Sequence, residues 1–149
     1  MEREVVELPE GLLEEAKLLA SAPDPRESAY AVYAPRLSDR PELRYVRLQQ
    51  SYGSTTYDVG EVAKLARAGA FLVAVVVCRP GPALPTARDV LTWWLTDARL
   101  NASLTYVIAS VEGGRVRLRY YDFSRCKSCP ELCRAVREVE WGADGEGDS

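Results

Sequence analysis

The sequence predicts an α/β fold of the α+β kind, a small mixed sheet with flanking helices, and three observations carry that expectation. Residues 71–78 form an apolar run without alternation, the pattern of a central strand covered on both faces. Segments of helical periodicity alternate along the chain with strand-like ones. A glycine pair near residue 113 joins two strand patterns as a hairpin. At 149 residues the chain has the length of one domain, and 47% hydrophobic with 28% charged residues is the composition of a folded chain.

Taken in order, residues 8–20 place Leu12, Leu13, Ala16, Leu19 and Ala20 at helical spacing, with Glu14, Glu15 and Lys17 between them. Pro23 and Pro25 end that helix. A stretch rich in Pro and Asp runs on to Pro41, interrupted by a strand-like piece at residues 30–33. Residues 43–48 alternate as a strand, and Tyr52-Gly53-Ser54 reads as the turn after it.

Residues 59–68 predict a helix closed by Gly69, which suits the left-handed position after a helix end. The apolar run at 71–78 follows, and Arg79-Pro80-Gly81-Pro82 breaks it. Thr86 and Asp89 form a capping-box pattern that opens a helix to residue 100, with Ala87, Val90, Leu91, Trp94, Leu95 and Ala98 on one face. Trp93 projects off that stripe, either as an interface aromatic or as a peripheral core residue.

Residues 104–111 and 115–123 form the hairpin about Glu112-Gly113-Gly114. On its second strand Arg115, Arg117 and Arg119 face one way and Val116, Leu118 and Tyr120 the other. The basic side is either a solvated edge protected by charge or a contact for RNA or an acidic partner. Pro130 begins an expected short final helix with Cys129, Leu132, Cys133, Val136 and Val139 on one side, and residues 142–149 make an acidic, disordered tail.

The units expected are thus residues 1–56, of unassigned role, 57–123 as the main α/β unit, 124–141 as a cysteine-bearing helical extension, and the tail.

Composition removes several functions. There is no histidine, which eliminates Ser-His-Asp and Cys-His nucleophiles and every His-containing metal site. No glycine-rich loop lies between a strand and a helix to cradle phosphates. Net charge is −3, which argues against an autonomous nucleic-acid binder. Yet five acids (Glu138, Glu140, Asp144, Glu146 and Asp148) follow the last basic residue, and without them 19 basic face 17 acidic residues. Three lysines against sixteen arginines, with one Asn, two Gln and one Met, lean toward a heat-adapted source. The longest apolar run is too short to span a bilayer, and the acidic start lacks the basic residues of a signal peptide, so a cytoplasmic location is expected.

Two further groups could carry chemistry. Cys126, Cys129 and Cys133 are spaced C-x2-C-x3-C, and Cys78 could supply a fourth thiolate for zinc or an iron–sulfur cluster; a disulfide or buried thiols are the plainer alternative. Asp58, Glu61 and Lys64 have the residue types of a metal-dependent nuclease, but at this spacing such groups commonly form surface ion pairs.

From residue 57 to 123 the order helix, apolar strand, capped helix and hairpin resembles the C-terminal, restriction-endonuclease-like domain of archaeal tRNA-splicing endonucleases. The residues that carry the resemblance are Phe71-Leu72-Val73-Ala74-Val75, residues 89–99, Tyr106-Val107-Ile108-Ala109-Ser110-Val111 and Arg119-Tyr120-Tyr121-Asp122-Phe123. Active subunits of that family use a Tyr, a His and a Lys. Here Asn101-Ala102-Ser103-Leu104-Thr105 stands where the lysine would, and histidine is absent. The resemblance therefore implies the structural subunit of a hetero-oligomer, with no catalytic residue, metal or cofactor of its own. Its partners would be a catalytic endonuclease subunit and, through the complex, precursor tRNA. By the same resemblance the subunit interface would involve Glu112, Gly113, Gly114, Tyr120 and Tyr121, to which Trp93 is added by its place off the helix stripe; Arg115, Arg117 and Arg119 are the RNA candidates by their shared strand face. A small cysteine-based metal-binding or redox module is the alternative.

Overall fold

The computed structural model describes residues 7–51, 53, 55–81, 84–123 and 134–141. In chain order these form α1 (Glu10–Ser21), β1 (Ser28–Ala34), β2 (Arg44–Leu48), α2 (Val59–Arg67), β3 (Phe71–Pro80), α3 (Ala87–Leu100), β4 (Thr105–Glu112), β5 (Arg115–Asp122) and β6 (Arg137–Trp141). The fold is mixed α/β, one sheet in the order β2-β1-β3-β4-β5-β6. Strands β3 and β4 pair in parallel, joined by the α3 crossover, and the other neighbours pair antiparallel.

The unalternating run of β3 is explained by its place. Successive side chains of a strand point to opposite faces, and here both faces are covered. Val75 and Val77 pack with Val62 of α2 and with Val90 and Trp93 of α3, whereas Ala74, Val76 and Cys78 pack with Leu12, Leu13 and Ala16 of α1. Helix α1 therefore lies on one side of the sheet, and α2 and α3 on the other. No helix among the described residues is long and apolar enough to cross a membrane.

Local signals explain the boundaries. Asp58 caps α2 by accepting from the Gly60 amide, and Gly69 takes φ of 98° after its end. Thr86 and Asp89 complete the capping box of α3, and Asn101 closes that helix in the left-handed conformation. Gly113 and Gly114 both have positive φ, 59° and 80°, as the tight turn between β4 and β5 requires.

Four expectations are corrected. The expected final helix is not one at its described end: residues 137–141 are a strand, β6, paired antiparallel to β5. The alternation Arg-Glu-Val-Glu-Trp has a period of two, which a strand satisfies by setting Val139 and Trp141 against the α1-side core. Strand β5 is consequently an inner strand rather than an exposed docking edge. The division at residue 56 is not a division of the fold, because β1, from the first 56 residues, sits between β2 and β3. The buried face of α3 is also different: Asp89, Val90, Thr92, Trp93 and Thr96 point inward, and Trp94 is 53% exposed. The turn at Tyr52 and Ser54, the cysteines 126, 129 and 133, and the tail lie outside the described residues.

Candidate functional site

The inward polar residues of α3 lead to the most concentrated chemistry among the described residues. On β3 the alternation that buries Val75 and Val77 under α3 also turns Arg79 to that side. Gly81 then takes φ of 75° and its amide donates to the Val111 carbonyl oxygen at 2.7 Å, so the chain leaves the sheet and returns as α3. That return sets Asp89, in the first turn of the helix, against the Arg79 guanidinium.

The contact is bidentate. Arg79 Nη1 donates to Asp89 Oδ2 at 2.7 Å and Nη2 to Asp89 Oδ1, while Nε donates to Glu27 Oε2 at 2.5 Å. Asp89 also accepts from Thr56 Oγ1 at 2.7 Å and from the Thr86 amide at 2.9 Å. The side chains of Asp89, Arg79 and Glu27 are 1%, 14% and 25% exposed, so the pair is removed from solvent on the helix side and open at the Glu27 end.

Electrostatics follows from those contacts. Burial alone would push the Asp89 carboxyl up, but the guanidinium, through hydrogen bonds and charge, outweighs it and holds Asp89 below the usual carboxylate range. Burial alone would push Arg79 down, and its two carboxylate partners outweigh that in the other direction. Asp89 therefore stays ionised, with four donors on its oxygens, and is available neither as general acid nor as base. The cluster works as a lock between the start of β1, the end of β3 and the start of α3.

A hydrogen-bonded row continues down α3. The Thr56 amide donates to Thr92 Oγ1 at 2.8 Å, the Tyr57 and Thr96 hydroxyls share a bond of 2.7 Å, and the Leu104 amide donates to Asp97 Oδ1 at 3.2 Å. The Tyr106 hydroxyl donates to Asp97, with the Trp93 carbonyl oxygen 3.2 Å away as a second acceptor sharing the same hydrogen. Burial pushes the Tyr57 and Tyr106 hydroxyls upward, so both remain protonated donors.

Beside the lock lies a cleft of about 790 Å³. Arg26 and Glu27 before β1, Arg47 and Gln49 at the end of β2, Gln50, and Arg88 at the start of α3 line it. Arg88 Nε donates to the Thr55 carbonyl oxygen at 2.9 Å, and Gln50 Nε2 donates to the Glu27 carbonyl oxygen at 2.8 Å, which holds those two rim residues in place.

The candidates read from sequence are distributed differently. Glu112, Gly113 and Gly114 are exposed at the tip of the hairpin. Trp93 is 0% exposed, stacked on Tyr106 with ring centroids 5.1 Å apart and tilted against Tyr121 at 5.5 Å. It is central core, neither peripheral nor available to a partner. Tyr120 and Tyr121 are buried on opposite faces of the sheet, which removes them from an interface as well. The expected basic face of β5 is neutralised: Arg119 lies opposite Glu138 and donates to it at 2.5 Å, Arg117 lies opposite Glu140, and Arg115 is 3.9 Å from Glu140.

Cys78 is fully buried with its Sγ 3.5 Å from the Ala16 carbonyl oxygen, and burial, followed by the charge of Glu27, pushes its thiol up to about 12. A thiol in that state stays protonated beneath α1, and the three cysteines expected beside it lie outside the described residues. Asp58 serves as a helix cap and Glu61 accepts from the Gln49 amide, so the Asp58, Glu61 and Lys64 set forms no shared acidic site. Among the described residues no group of three or more Cys, Asp and Glu side chains is placed to hold a metal ion.

Sequence reasoning passed over Glu27, Arg79 and Asp89 as a unit. An arginine in register with buried valines, ten residues before a capping aspartate, was the available signal; Glu27 offers none. No known protein-family model matches the chain, and no curated protein matches it.

Proposed function

We propose that the chain is a non-catalytic, structural subunit of a heteromeric assembly, and that this assembly is a tRNA-splicing endonuclease of the kind its residues 57–123 resemble. The observation that carries the first part is a second apolar stripe on α3. Trp94 is exposed, with half-buried Leu91 one turn before it, half-buried Leu95 next to it, and exposed Ala98 one turn and Ala87 two turns away, while the opposite side of the helix is already committed to the core. An exposed tryptophan within an apolar stripe is the usual anchor of a protein interface. The docking surface thus moves from the hairpin to α3.

Two properties support a non-catalytic role. The chain has no histidine. The buried Asp89 carboxylate is consumed in the lock, its oxygens taking four donors from Arg79, Thr56 and Thr86. The splicing setting rests on the order of α2, β3, α3, β4 and β5 alone. The cysteine-based alternative gains no support from Cys78.

Affinity purification of the full chain from its native cells, followed by precursor-tRNA cleavage assays, tests both parts. The chain alone is expected to cleave nothing, and a co-purifying catalytic chain is expected to cut at intron boundaries when the two are combined. Trp94→Asp is expected to reduce recovery of that partner at least tenfold with its thermal transition unchanged. Recovery of a lone monomer overturns the structural-subunit reading; a stable partner without cleavage of RNA overturns the splicing setting.

A further inference from the structure

We propose that the cleft between the start of β1, the end of β2 and the start of α3 binds the phosphodiester backbone of single-stranded RNA without reading its bases. The choice of RNA as the polyanion rests on the function proposed above; the cleft's preference for an extended phosphate chain rests on its own residues.

Three arginines converge there from separate elements: Arg26, Arg47 and Arg88. Their neighbours Gln49 and Gln50 carry amide donors, so the wall is rich in groups that favour phosphate oxygens. The acid among them, Glu27, shares the Arg79 guanidinium with Asp89, so one excess negative charge remains at that end of the cleft, and the three rim arginines outnumber it. Arg26 pairs with Asp24 at 3.4 Å, but with side chains 67% and 85% exposed that pair is weak enough to exchange for a phosphate. Arg88 is anchored through Nε, which presents the rest of its guanidinium in a fixed orientation at little entropic cost.

The contrast with β5 decides where RNA would lie. Arg115, Arg117 and Arg119 face Glu138 and Glu140 across one strand spacing, whereas Arg47 and Arg88 line the cleft together with Gln49, Gln50 and Ser51. The overall charge of −3 does not oppose this, because exposed charges beyond about 10 Å are screened at ordinary ionic strength. At the start of α3 the capping box already engages the Thr86 and Asp89 amides.

The lining also says what is not read. Among the described residues no aromatic side chain lines the cleft, and Leu48 is its apolar lining. Sequence-tolerant binding by base stacking needs an aromatic platform. What remains is backbone contact, which fixes position without specifying sequence.

The test is fluorescence anisotropy of labelled oligouridylate and oligoadenylate with the purified full chain across a salt series. Both are expected to bind within about twofold of each other, with log K falling against log salt at a slope of about −2, since three phosphate contacts contribute about −0.7 each for single strands. Arg47→Gln with Arg88→Gln is expected to bring the slope to about −0.7 and weaken binding about tenfold at low salt. Arg26→Gln, in the exposed segment before β1, gives a second readout with an expected slope of about −1.4 even if the double variant folds poorly. Arg115→Gln with Arg117→Gln is expected to leave slope and affinity unchanged.

Absence of binding at low salt, a slope unmoved by the cleft variants, a strong preference between the two homopolymers, or displacement of RNA by stoichiometric adenosine monophosphate each overturns the inference. The chain is used alone, so the outcomes separate. RNA binding without any recoverable protein partner keeps the cleft and removes the scaffold reading; a recovered partner with no RNA binding does the reverse.

Discussion

Asp89 combines two jobs that the sequence displays as one. As the third residue of α3 it closes a capping box, and as the partner of Arg79 it neutralises a guanidinium that β3 carries inward. Because its folded-state pKa lies below the unfolded value, the stabilisation is fully present above about pH 4 and is lost as pH falls through the depressed value. Asp89→Asn is expected to lower stability by about 3–5 kcal/mol in urea unfolding at neutral pH, since Arg79 is left partly uncompensated. The gap between variant and parent should narrow in acid; a gap that stays constant from pH 7 to pH 3 would show that the charge contributes nothing. Cys78 makes a second residue-scale case. With its thiol pushed up to about 12 and no exposed surface, it should resist iodoacetamide at pH 8 in the folded chain and react once urea is added. Mass spectrometry of the peptide decides, and native labelling would place it outside the core.

At the scale of elements, α3 is the informative case because its two adjacent tryptophans have opposite fates. Helical spacing offered two overlapping apolar stripes, and the hydrophobic count favoured the one containing Leu91, Trp94, Leu95 and Ala98. The helix instead turns toward the sheet the face that carries Asp89, Thr92 and Thr96, because each of these has a polar partner waiting on the segment at 55–57 or on β3. Periodicity sees apolar side chains and is blind to a buried face that is partly polar and satisfied. Trp93→Ala is accordingly expected to cost about 3–5 kcal/mol, and Trp94→Ala to remain within about 0.5 kcal/mol of the parent, both by denaturant midpoint. Equal costs would mean that the two faces are misassigned.

For the whole molecule, the sheet unites what a reading by segments divides. Strand β1 pairs with β3 along nearly its whole length, with an irregularity between Val32 and Tyr33, and α1 supplies one entire covering layer. A fragment of residues 57–149 would leave β3 with an open edge and one uncovered face. It is expected to show no cooperative thermal transition and no near-ultraviolet circular dichroism, where the full chain shows both. A cooperative transition in the fragment would restore the division at residue 56.

By itself the sequence determined the elements whose signals are local: three helices, the capping box of α3 and the glycine after α2, the central apolar strand, and the glycine hairpin, together with the absence of any imidazole chemistry. Tertiary structure alone decided which faces and edges are used. It brought Glu27 to Arg79 across 52 residues, set the acidic strand β6 beside the arginines of β5, and gathered Arg26, Arg47 and Arg88 around one cleft. Caps and turns depend on neighbours a few residues away, which a linear pattern records. Neutralisation of a charge depends on what lies opposite it in space, and in this chain the opposing residues come from distant segments.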